Sequence, residues 1–116
     1  MRLETKTGLD DLLRASELIQ SAVSGMTLDQ FLGNWEKQSA VERQFMIIGE
    51  ALIRIRSHEP SVFESIPDSK AIVGFQNILA HGYDVADPEA IFEIAGDKLT
   101  ELREFVTQLI SVNPAV

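Results

Sequence analysis

Residues 36–57, EKQSAVERQFMIIGEALIRIRS, decide how the rest of the chain is read. Val41, Phe45, Ile48, Leu52 and Ile55 recur at steps of three and four, which places them on one face of a helix. Met46, Ile47 and Ile53 make a second apolar face. A helix that is apolar on two sides belongs in the centre of a bundle or against a second subunit. The segment therefore predicts an all-α fold and points to a homodimer. Glu50 and Arg54 stand four apart in the order that favours a local ion pair, so that pairing is expected of them.

The same helical period continues on both sides. Upstream, Leu12, Ala15, Ile19, Ala22 and Val23 predict a helix over about Leu9 to Ser24, stopped by Gly25. Thr27 and Gln30 have the spacing of a capping box and open a short helix that ends at Gly33 or Asn34. Downstream, His58 suits the negative end of the central helix. Pro60 and Pro67 bracket a possible short helical turn. A further helix starts near Ser69 with Ile72, Phe75 and Leu79 as its buried stripe, and Gly82 suits the left-handed position past its end. Asp87-Pro88 reads as an N-cap followed by proline at the first helical position, with Glu89 adding charge to that turn. From there the last helix is expected to run unbroken to about Val112, with Ile91, Ala95, Leu99, Leu102, Val106 and Leu109 facing inward. The expected architecture is an antiparallel bundle of four principal helices plus one or two short ones.

Composition narrows the function. The chain has 116 residues, which predicts one domain over 1–116. It has no cysteine, so disulfides and thiolate metal sites are excluded. No apolar run reaches a membrane span, and the acidic N-terminal stretch lacks the apolar core of a signal peptide, so the expected location is the cytoplasm. The net charge of −8 gives no basic footprint for duplex nucleic acid. It predicts weak nonspecific RNA binding and favours a basic protein partner. There is no P-loop and no GxGxxG pattern, and the two histidines fall in no metal-ligating helix pattern, so neither cofactor nor metal is expected.

The stretch FQNILAHGYD, residues 75–84, carries the remaining chemistry. On a helix Asn77 and His81 share a face. His81 falls in the last turn, and Tyr83 follows in the loop. An amide, an imidazole and a phenol can meet at one helix end, and an imidazole titrates near neutrality, as proton transfer requires. The structural alternative is a histidine that finishes a helix, steadied by Asn77, with Tyr83 packed on the bundle.

Three longer stretches resemble one known family. GLDDLLRASELIQSAVSGMTLDQFLGN (8–34), SAVERQFMIIGEALIRI (39–55) and IVGFQNILAHGYDVADPEAIFEI (72–94) are similar to the opening helices, central helix and motif region of the HepT-like branch of the HEPN superfamily. The resemblance implies a dimeric helical toxin that cleaves RNA without metal. It also implies a small nucleotidyltransferase as the antitoxin partner, which attaches AMP to a motif tyrosine. The family motif is an arginine, a polar residue, then a histidine with a tyrosine two positions beyond it. In this sequence the polar residue is Asn77, the histidine is His81 and the tyrosine is Tyr83. The arginine is replaced by Gln76.

That replacement divides the readings. An arginine fork holds a crowded phosphate through two charge-assisted bonds, whereas glutamine brings no charge. Losing such a stabiliser costs on the order of 10² to 10³ in rate. One reading is a ribonuclease that is weakened, or that uses another cation, with Arg43, Arg54 and Lys70 as candidates. A second is a catalytically quiet relative that keeps the dimer and the nucleotidyltransferase contact. A third is a helical dimer sharing only the fold.

Overall fold

The computed structural model describes residues 1–81 and 87–113, with the backbone alone at 80 and 81. Every regular element is a helix: α1 Leu3–Val23, α2 Leu28–Leu32, α3 Trp35–His58, α4 Pro60–Ser65, α5 Ser69–His81, α6 Pro88–Glu93 and α7 Leu99–Val112. No strand occurs among the described residues. No helix among them is long and apolar enough to cross a membrane.

The central helix α3 organises the rest. Its predicted stripe, Val41, Phe45, Ile48, Leu52 and Ile55, is buried throughout. The second face is half-covered at Met46, Ile47 and Ile53. On one side α1 runs antiparallel to α3, with Arg2 bonded to Glu59 and Asp11 paired with Arg54. α7 runs antiparallel to α1, joined by Gln20, which donates to Thr100 Oγ1 at 2.9 Å and accepts from Arg103. On the other side α4 leads into α5, which packs on α3. Leu9, Leu12, Ile19, Phe31, Phe45, Ile91 and Val106 belong to one continuous apolar core.

The local signals behave as their chemistry requires. Thr27 and Gln30 close a reciprocal capping box at α2. Gly25 takes φ +76° just past α1. Asn34 caps α3 by accepting from the Lys37 amide at 3.0 Å. Asp87 accepts from the Glu89 amide at 3.0 Å, with Pro88 at the first helical position of α6. His58 is the last residue of α3.

Four expectations are corrected. α1 begins at Leu3, not near Leu9. Its first two turns are polar in sequence, yet Thr5 and Gly8 are buried because their small side chains let α1 settle on the C-terminal half of α3. The last helix is not continuous. Gly96, at φ −86° and ψ −114°, breaks it within Ile94–Lys98. The inward residues keep their phase across the break, since Ile91, Ala95, Leu99, Leu102 and Val106 are all buried.

The third correction concerns Arg54. It pairs with Asp11 of α1 at 3.1 Å rather than with Glu50, which is exposed. α1 brings a carboxylate within reach on the flank of α3 where Arg54 stands, so a cross-helix partner replaces the local one. The fourth concerns α5. Ile72, Phe75 and Leu79 are only half-buried. The line pressed against α3 is Ser69, Val73 and Gln76. Ile72 and Phe75 instead look onto a cavity of about 160 Å³ that separates α5 from α7.

The largest exposed apolar side chain by fraction is that of Trp35, 72 % exposed at the start of α3.

Candidate functional site

The site expected from sequence lies at the C-terminal end of α5. His81 is the last residue of that helix. Gly82 and Tyr83 lie outside the described residues, as does the side chain of His81. The meeting of His81, Asn77 and Tyr83 is therefore a matter for proposal.

Asn77 is exposed and Gln76 is 7 % exposed, although the two are neighbours. A step of 100° around the helix separates a solvent-facing amide from one that is packed inside. Beneath Gln76 lies Gly49 of α3, where an added Cβ would collide with Cβ and Cγ of the glutamine. The two helices approach this closely because position 49 has no side chain. Glycine inside a helix costs about 1 kcal/mol relative to alanine, so Gly49 in the middle of α3 asks for a reason, and Gln76 supplies it. That cost was the sequence signal for the contact.

Gln76 Oε1 is buried with no hydrogen-bond partner among the described residues. A buried carbonyl left unpaired costs about 1–3 kcal/mol. Position 76 thus carries an uncharged side chain held in the α3–α5 seam, on a different side of α5 from Asn77.

Partners and distance separate the three candidate cations. Arg54 is held by Asp11 of α1 at 3.1 Å. Lys70 is eleven residues before His81, about 16 Å along the axis of α5. Arg43 is exposed and takes part in no ion pair among the described residues.

A fourth ionisable group, on α3, was not singled out by sequence reading. Glu42 is half-buried, and burial pushes its carboxyl above the ordinary glutamate value. It is seven residues before Gly49, so it shares the α5-facing side of α3, about 10 Å further along the axis. Desolvation of this kind marks a carboxyl as an acid–base candidate. No cluster of three His, Asp or Glu side chains that could hold a metal occurs among the described residues.

Comparison with known families fits both the helical architecture and the resemblance of the three quoted stretches. A family profile described as "Ribonuclease HepT-like" matches residues 12–109, from the third turn of α1 nearly to the end of α7. The match takes in the central helix, the Gly49–Gln76 contact and the whole of α5, and on that extent the chain belongs to the HepT-like ribonuclease family.

Proposed function

We propose that the chain is the ribonuclease toxin of a toxin–antitoxin pair, a single cytoplasmic domain that works as a homodimer and cleaves RNA without metal. The observation that carries this reading is the extent of the family match, with an exposed Asn77 on the helix that His81 ends. Cleavage requires the 2′-hydroxyl to lose a proton, the leaving 5′-oxygen to gain one, and the phosphate charge to be stabilised. His81 moves the proton. Asn77 orients the substrate by hydrogen bonding, and Arg43 brings charge to the phosphate in place of the missing motif arginine. Tyr83 is the residue that the partner nucleotidyltransferase modifies with AMP. The half-covered second face of α3 and the outward side of α5, where Ile78 is 54 % exposed, support a dimer that brings two such helix ends together.

The test is RNA cleavage by purified protein in the presence of chelator. Wild type is expected to yield fragments with cyclic-phosphate ends. His81→Ala removes activity, and Arg43→Ala lowers it by about 10² or more, the scale of a lost charge-stabilising donor. Cleavage that survives in His81→Ala sinks the assignment.

A second reading is favoured by the burial of Gln76. Its side chain has neither charge nor access, which suits a catalytically quiet relative that binds its nucleotidyltransferase and cuts nothing. That reading predicts a stable complex with the partner and no fragments from wild type.

A further inference from the structure

The cavity between α5 and α7 has no part in the chemistry proposed above, and it lies at the other end of α5 from His81. Its walls are Phe45 and Ile48 of α3, Ile72 and Phe75 of α5, and Leu99 and Leu102 of α7. Among the described residues the only charged groups that line it are Asp68 and Lys98, paired with each other at 3.3 Å and both substantially exposed. The interior of the cavity therefore has aliphatic and aromatic walls, and its polar groups sit toward solvent.

We infer that this cavity is a binding site for a small apolar molecule, a single aromatic ring or a branched aliphatic of about five to seven carbons. Size sets the class. The volume is about 160 Å³. Enclosed apolar cavities of about 150 Å³ lined by Leu, Ile and Phe take up benzene, and this cavity, partly open to solvent, presents walls of the same kind and size. A peptide segment or a nucleotide is too large, and a base edge finds no buried hydrogen-bonding partner on these walls. Energetics agree. The half-buried Ile72 and Phe75 lose their remaining contact with water when the space is occupied, which favours an apolar guest. The guest also changes the attachment of α5. Among the described residues that helix packs chiefly on α3. An occupant of the cavity joins it to α7 as well.

The site is tested on the full chain with benzene as the probe, without reference to RNA cleavage. Amide resonances followed during a benzene titration are expected to shift, saturably, at residues 45–48, 71–75 and 94–102. The Tm measured by circular dichroism rises with benzene concentration, as it must when a ligand binds only the folded state. Ala71→Leu, which places a larger side chain on the cavity wall, abolishes both effects. Wild type without localised shifts up to the aqueous solubility of benzene overturns the inference, whatever the variant does. Shifts spread over Leu3, Trp35 and Ile78 overturn it too, because they report adsorption to exposed apolar side chains. A dimer that Ala71→Leu dissociates, with no benzene uptake by wild type, assigns the cavity to a side chain of a second copy and likewise overturns it.

Discussion

Two glycines bring helices close to α3, and they meet different neighbours. Gly8 of α1 rests against the side chain of Ile55, and a Cβ there would strike its Cγ1. Gly49 of α3 rests against the side chain of Gln76 of α5. The first contact lies in a seam lined by Leu9, Leu12, Leu52 and Ile55, all fully buried. The second has a buried amide at its centre, half-buried apolar residues on its flank and a cavity beside it. Close approach alone does not make a rigid joint; the α1–α3 seam adds apolar packing to it, while the α3–α5 seam includes a polar group with an unpaired oxygen. The helix that carries the motif residues is the one less firmly attached, as is expected of elements that act rather than support.

The largest effects should separate these two seams. Leu52→Ala leaves a void in the fully buried seam and is expected to cost about 2–5 kcal/mol in urea denaturation. Ile72→Ala, on the cavity side of α5, is expected to cost clearly less, since its side chain is already half in contact with solvent. Equal losses would mean that both seams are equally core.

A smaller effect sharpens the Gly49 contact. Gly49→Ala should gain helix propensity yet destabilise by about 1–3 kcal/mol, because the added methyl overpacks the joint. Combined with Gln76→Gly, which removes both the Cβ and the Cγ that the added methyl strikes, the loss should fall well short of the sum of the two single losses, a coupling well above the spread expected for independent sites. Additive losses would place Gly49 and Gln76 out of contact. Gln76→Leu keeps the volume and removes the unpaired oxygen, so it should be neutral or stabilising by about 1 kcal/mol in the same assay.

The smallest effect is a matter of pH. Burial holds the Glu42 carboxyl above its ordinary value, so the folded state binds that proton more tightly than the unfolded chain does. The penalty for its charge is absent below the unfolded value, develops as pH rises from there and is complete above the folded value. Glu42→Gln should therefore raise the Tm slightly at pH 7 and leave it unchanged near pH 3. A gain that is equal at both pH values would assign the effect to packing instead of charge.

How much of this was legible in the sequence follows the same division. The apolar period of α3 was plain because hydrophobic side chains repeat there with little interruption. The caps at Thr27 and Asp87 were plain because their chemistry is local. The first turns of α1 were hidden because Thr5 and Gly8 are buried by smallness, which no hydropathy pattern records. Gln76 was hidden for a related reason: an amide at a buried position looks, in sequence, like one at a surface. The partner of Arg54 was a tertiary fact, since only the packing of α1 on α3 brings Asp11 to it. At the candidate site, the place of His81 at a helix end and the exposure of Asn77 agree with the helical spacing.

The exposure of Trp35 has a practical consequence. It is the only tryptophan in the chain, and it stands 72 % exposed at the first residue of α3. Its indole emission in the folded protein is already close to that of a hydrated ring, so denaturation should alter the spectrum little. Fluorescence is then a poor gauge of folding for this protein. It is a sensitive gauge of anything that covers the corner where α2 meets α3, because a shift to shorter wavelength at constant helix content reports docking there and nothing else.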